Sequence, residues 1–178
     1  MRFVFKIILI GDGGVGKTSL IKKYTKGEFQ EDYISTIGAQ FSIYDYKIND
    51  DDIKLFFWDL AGQDDFQFIR SSFYEDSNAA IITYSLEQNK MAKESMKNTM
   101  KWYNEMNQYC QDIPIIIFAN KSDLVEPTKI SDSNFAELST MNNFLGIYTT
   151  SAKTGEGVSA AFKIVIEKLY SIHKEINE

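Results

Sequence analysis

The chain has 178 residues, with 19 basic and 25 acidic side chains, a formal net charge of −6 and 44% apolar content. That length fits one domain over residues 1–178, with enough apolar material for a full core and no need of a metal or disulfide to fold. Ten Gly and two Pro with no homopolymer tract exclude collagen-like, linker-like and low-complexity chains, and the acidic balance argues against nucleic-acid binding.

Short apolar, β-branched or aromatic runs recur at residues 3–10, 37–48, 53–58, 79–84, 113–119 and 145–150. Helical patterns fall near 17–26, 65–74, 90–108, 132–141 and 157–174, the last with Val158, Phe162, Val165 and Leu169 on one stripe. Strands alternating with crossover helices predict a doubly wound, six-stranded, mostly parallel α/β sheet with helices on both faces. The polar cluster from Asn49 to Asp52 leaves no room for a crossover helix, so the strands flanking it should pair antiparallel, making one edge strand reversed. The start reads as a strand and not as a secretory leader, because Lys6 interrupts the apolar run and no small-residue cleavage site follows. No stretch approaches the ~20 apolar residues that cross a bilayer. The single cysteine, Cys110, fits a reducing compartment, and a soluble cytoplasmic monomer is expected, peripheral contact with membranes being left open.

Gly11-Asp12-Gly13-Gly14-Val15-Gly16-Lys17-Thr18 follows the first strand and opens the first helix, the context in which a G-x-x-x-x-G-K-[ST] match carries weight. Glycines let backbone N–H groups wrap a polyphosphate, the helix N-terminus adds positive potential, and Lys17 brings a mobile charge to the β and γ phosphates. The expected phosphate-binding residues are Gly13, Gly14, Val15, Gly16, Lys17, Thr18 and Ser19, with Thr18 offering a hydroxyl to Mg2+. A plain glycine turn explains two of the glycines but not the Lys-Thr pair behind them. The same stretch satisfies G-x-G-x-x-G. A dinucleotide-binding enzyme, however, wants an acidic residue ~20 positions on, where this chain has Thr36-Ile37-Gly38-Ala39-Gln40.

Asn120-Lys121-Ser122-Asp123 follows the fifth strand and Ser151-Ala152-Lys153 the sixth. Guanine presents an N1–H and an exocyclic amine on one edge, and one carboxylate such as Asp123 can accept both. Adenine has no matching donor pair, so GTP is favoured over ATP. A site committed to such bonds rejects an analogue lacking them by ~10⁴ or more. Asp59-Leu60-Ala61-Gly62-Gln63 closes the third strand. There Asp59 can face the magnesium shell, the Gly62 N–H can reach a γ phosphate, and Gln63 can orient an attacking water. Thr36 could add a second hydroxyl to the metal, although an ordinary strand threonine reads the same way.

With these motifs in order, the chain resembles a Ras-superfamily small GTPase from Lys6 to the final helix. It is most similar to the Rab branch through Trp58-Asp59-Leu60-Ala61-Gly62-Gln63, Ile34-Ser35-Thr36-Ile37-Gly38 and Phe73-Tyr74. The resemblance implies a P-loop fold, a GTP/GDP switch and a role in vesicle trafficking. It assigns Thr36 to magnesium in the GTP state, Asp59 to a magnesium-bound water, Phe29 to an edge contact with guanine and Tyr33 to a cover over the phosphates. Lys121 would pack along the phosphate loop and Ala152 would give a backbone N–H to the guanine oxygen. Leu60, Asp64-Asp65 and Tyr84-Ser85 depart from the Rab pattern, which bears on partner choice and not on nucleotide binding. The lipid tail expected of this branch is absent from the sequence.

Gln63 and Lys17 are the expected catalytic residues, and Thr18, Thr36 and Asp59 the metal set. The two arginines, Arg2 and Arg70, sit at no family position for an internal arginine finger. Slow unaided hydrolysis is therefore expected, on the order of 10⁻⁴ to 10⁻³ per second, with an activating protein supplying the arginine. Exchange factors and effectors would read the segments around Thr36 and Gly62, whose flanks Glu28, Glu31, Asp32, Asp64 and Asp65 favour basic or aromatic partners. The alternative is a GTP-binding scaffold that does not hydrolyse; a P-loop kinase gains no support from Asn120 to Asp123. Met91, Met96, Met100 and Met106 read as core filler, His173 as a solvated helix-end residue, Cys110 as unreactive, and Trp102-Tyr103 as packing in one long helix.

Overall fold

Six strands, β1 (Arg2–Ile10), β2 (Ala39–Ile48), β3 (Asp51–Leu60), β4 (Ala79–Ser85), β5 (Ile115–Asn120) and β6 (Phe144–Thr150), lie side by side in the order β2-β3-β1-β4-β5-β6. They are seen in a computed structural model that describes residues 1–30, 35–110, 112–126 and 135–177. Every neighbouring pair is parallel except β2 and β3, which run antiparallel with Ala39 opposite Leu60 and Ile48 opposite Asp51. The reversed edge strand is as the short connection required. The turn is tighter than expected: Asn49, at φ 53°, takes the left-handed conformation that Asn tolerates, so Asp51 and Asp52 already belong to β3. β2 begins at Ala39 and not at residue 37, because Gly38 at φ 70° breaks the extended backbone and leaves Ile37 79% exposed.

Strand alternation divides the apolar residues between two layers. Phe3, Phe5, Ile7 and Leu9 of β1 face α1 (Lys17–Lys26) and α6 (Val158–Asn177), packing with Leu20, Ile21, Val158, Phe162, Val165 and Leu169. Ile8 and Ile10 face the opposite layer, where α2 (Gln67–Tyr74), α4 (Thr99–Asn107) and α5 (Ala136–Ser139) contribute Tyr74, Trp102, Met106 and Leu138. Both faces of the sheet are covered, and the carboxyl ends of β1, β3, β5 and β6 open onto one crevice.

Helix limits differ from expectation in four places, the simplest being α6, which runs on to Asn177 past the expected 174. Residues 65–74 divide into a 3-10 turn, Asp64–Phe66, followed by α2. The helix expected over 90–108 is two, α3 (Lys90–Lys97) and α4, separated at Asn98. The Asn98 side chain reaches outside the helix to Asp12, the competition that makes Asn a poor helix-interior residue. Of the pattern at 132–141, residues 132–134 lie outside the described residues and only Ala136–Ser139 is helical. Two side chains also correct the expectation: Met91 is 75% exposed, so it fills no core. His173 is partly buried, its ring 4.9 Å from that of Phe5. Among the described residues no helix is long and apolar enough to cross a membrane.

Candidate nucleotide site

The crevice holds a cavity of about 490 Å³. Its phosphate end is built on the loop between β1 and α1. Gly16 sits at φ 101°, and a Cβ there would lie 2.3 Å from Asn120 Nδ2, so only glycine lets the loop pass against Asn120. Asn120 in turn donates Nδ2 to the Val15 carbonyl at 2.9 Å. Lys17 is buried, and its Nζ donates to the carbonyls of Gly11 (2.7 Å) and Asp12 (2.8 Å). Burial pulls its pKa down to about 8, opposed by Asp59 and Asp12.

Opposite Lys17, three oxygens converge. The Thr18 hydroxyl donates to Asp59 Oδ2, lies 3.0 Å from the Thr36 hydroxyl, and Thr36 donates to the same Oδ2 at 3.2 Å. Asp59 Oδ1 is buried without a hydrogen-bond partner among the described residues, and burial raises the carboxyl pKa against the pull of Thr18 and Lys17. An anionic oxygen with free lone pairs beside two hydroxyls suits a hard divalent cation such as Mg2+. Among the described residues no three His, Cys, Asp or Glu form a metal cluster, so such a cation would complete its shell from phosphate oxygens and water. Gln63 donates Nε2 to Ser35 Oγ at 2.5 Å, while its Oε1 is buried without a hydrogen-bond partner among the described residues. A Cβ on Gly62 would come within 2.4–2.5 Å of Gly11 O, Asp12 C and Gly13 N; the two walls of the phosphate end touch there.

At the other end, the Ser151 hydroxyl donates to Asp123 Oδ1 at 2.6 Å, fixing that carboxylate. Asn120 Oδ1 accepts from Thr150 Oγ1 and from the Ala152 N–H, both at 3.2 Å, so here the Ala152 N–H is engaged within the protein. Lys121, at φ 67°, pairs its Nζ with Glu87 Oε2 at 2.6 Å.

Of the residues picked from sequence, Gly13, Gly14, Gly16, Lys17, Thr18, Ser19, Phe29, Thr36, Gly62, Gln63, Asn120, Lys121, Asp123, Ala152 and Lys153 line this cavity. Val15, Asp59 and Ser151 act from behind the wall through the bonds above. Tyr33 lies outside the described residues. Three features were missed. Glu87 holds Lys121 from 34 residues away, and nothing local in the sequence marked it. Arg70, fully buried, bonds Glu105 and the carbonyls of Ala61 and Gln63, and nothing local in the sequence marked it. Trp102, taken as packing, gives its indole N–H to Asp12 Oδ1 at 2.7 Å.

The profile of the Ras family matches residues 6–171. The chain belongs to the Ras family. Among its relatives, human Ras-related protein Rab-30 is 37% identical over 161 residues, covering 90% of this chain and 77% of the relative. Ras-related protein Rab-19 of Xenopus laevis is 33% identical over 168 residues, covering 94% and 77%. Ras-related protein Rab-1A of Dictyostelium discoideum is 35% identical over 162 residues, covering 90% and 78%. These relatives make the chain a Rab-like small GTPase.

Proposed function

We propose that this small GTPase binds GTP and GDP with Mg2+, hydrolyses GTP slowly without help, and uses the change of nucleotide to switch partners in membrane trafficking. The observation that carries the reading is the polarity of one cavity: Lys17, Thr18, Thr36, Asp59 and Gln63 gather at one end, and a carboxylate fixed by Ser151 at the other.

In this reading Asp123 accepts the two donors of the guanine edge, Phe29 flanks the base, and Asn120 ties the base motif to the phosphate loop. Lys17 and the N–H groups of residues 13–19 neutralise the β and γ phosphates. Thr18 and Thr36 hydroxyls with Asp59 would hold Mg2+, which supplies charge neutralisation at the β and γ oxygens. The Gln63 amide, already bonded to Ser35 and with its Oε1 unpartnered among the described residues, orients the attacking water. No arginine reaches the cavity: Arg70 is committed to Glu105. An activating protein supplies that charge in trans.

Partners read the segments around Thr36 and Gly62, because these contact each other and the γ-phosphate end, and so change when that phosphate leaves. Exposed Ile37, Phe41, Ile43 and Phe68 give that face an apolar contact surface. The deciding measurement is nucleotide affinity with Mg2+ present: GDP and GTP should bind at least about 10³-fold more tightly than ADP and ATP. Equal affinity for adenine nucleotides, or no binding of either, overturns the proposal.

A further inference from the structure

We infer that Trp102 is a positioning residue for the GTPase site, tying the phosphate loop and the Gly62–Gln63 segment to one side chain of α4. The inference rests on the nucleotide reading above. Trp102 is 1% exposed and has two separate engagements. Its indole N–H donates to Asp12 Oδ1 at 2.7 Å, while Asn98 Nδ2 donates to Asp12 Oδ2 at 2.8 Å, so both oxygens of that carboxylate are held from the α3–α4 junction. Its ring face lies under the Arg70 guanidinium, 4.7 Å from centroid to Cζ, a cation–π arrangement. Arg70 Nη1 then donates to Ala61 O at 3.0 Å and Gln63 O at 2.6 Å.

The consequence follows from what each engaged group does. Asp12 is the side chain available to anchor the otherwise glycine-rich stretch Gly11 to Gly14, and its own carbonyl accepts from Lys17 Nζ. Fixing the Asp12 carboxylate therefore fixes the loop that cradles the phosphate-binding lysine. Arg70 fixes the carbonyls on either side of Gly62, the residue whose Cα abuts the backbone of Gly11 to Gly13. The two walls meet at Gly62 and both are referenced to Trp102. Charge-assisted hydrogen bonds of this kind are the strong ones.

The test uses GDP dissociation and single-turnover GTP hydrolysis, with thermal melting measured alongside. Trp102→Phe keeps an aromatic face under Arg70 and removes the N–H; Asn98→Ala removes the other donor to Asp12. Each should speed GDP release and slow hydrolysis by roughly ten-fold. In an Asp12→Ala background, either substitution should change GDP release by less than about two-fold, since the shared acceptor is gone. Lowered melting temperature with both rates within about two-fold of the parent overturns the inference, and so do effects that multiply in the Asp12→Ala background. Should Trp102→Phe not fold, the Asn98–Asp12 cycle decides by the same criteria. A parent chain that fails to bind GDP sinks the nucleotide reading itself, and this inference with it.

Discussion

Arg70 and Glu105 form a two-point ion pair inside the protein, Nε to Oε1 at 2.8 Å and Nη2 to Oε2 at 3.0 Å, with side-chain exposures of 0% and 7%. Tyr74 donates its hydroxyl to the same Oε1 at 2.6 Å, so the carboxylate accepts three hydrogen bonds from buried donors. Removing one partner of a buried pair leaves an uncompensated charge, which costs far more than the pair contributes. Arg70→Ala should destabilise the fold by about 3–5 kcal/mol in urea titration. Arg70→Lys should recover little of that, because an ammonium cannot make the two-pronged contact. Full recovery by Lys would mean that charge alone matters here.

Gly62 gives the second prediction. A methyl group at this position would sit 2.4–2.5 Å from backbone atoms of the phosphate loop, which neither a rotamer change nor a flexible side chain can relieve. Gly62→Ala leaves the base end untouched, so GDP should still bind, but with faster release, because the Gly11 carbonyl it crowds also accepts from Lys17 Nζ. It should slow single-turnover GTP hydrolysis by roughly ten-fold or more, because a displacement of about 1 Å at a reacting group has effects of that size. Hydrolysis at the parental rate would show that the close approach of Gly62 to the loop is dispensable.

How far the sequence could be read depended on whether a signal was local. The phosphate loop, Asn120 to Asp123, Ser151 to Lys153 and the Asp59 to Gln63 stretch each declare themselves within a few residues, and each lies at a strand end in the fold. The antiparallel pairing of β2 and β3 followed from the same reasoning, because the short polar connection from Asn49 to Asp52 leaves no room for a crossover helix. What stayed hidden were contacts between residues far apart in sequence. Trp102 looked like a core aromatic because its N–H partner is 90 residues away. Arg70 reads in the sequence only as no internal finger, and its ion pair stayed hidden because Glu105 is 35 residues off. The break at Asn98 was hidden for the same reason, since a continuous helical pattern spans it and only the distant Asp12 draws its side chain aside.

Cys110 is buried, donates weakly to the Met106 carbonyl at 3.6 Å, and has its thiol pKa pushed up to about 11 by burial, Lys6 opposing only in part. The thiolate is the reactive form. At pH 8 the native protein should react with a small alkylating reagent roughly two orders of magnitude more slowly than the urea-unfolded chain. The native rate should rise with pH up to about 11. Labelling at the unfolded rate would contradict the burial.

Metal removal tests the oxygen cluster. If Thr18, Thr36 and Asp59 share a cation with the nucleotide phosphates, chelation by EDTA should speed GDP release by at least about ten-fold, because the negative charges of Asp59 and the phosphates then face each other unscreened. Thr18→Ala should release GDP fast with or without the chelator. A release rate indifferent to EDTA in the parent chain would remove the metal from the proposal while leaving the guanine pocket intact.

Gln63 separates a hydrolysing switch from a scaffold that only holds GTP. Its Nε2 donates to Ser35 and its Oε1 is buried without a partner among the described residues, an amide held at one end with an acceptor at the other. Leucine is similar in size and offers neither bond. Gln63→Leu should therefore leave GDP and GTP affinity within about two-fold of the parent, because no phosphate or base contact is lost. Single-turnover phosphate release should fall by roughly 10- to 100-fold, as expected when the attacking water is no longer aligned. An unchanged rate would mean that Gln63 takes no part in aligning the water, and the scaffold reading would then account better for a chain that keeps GTP bound.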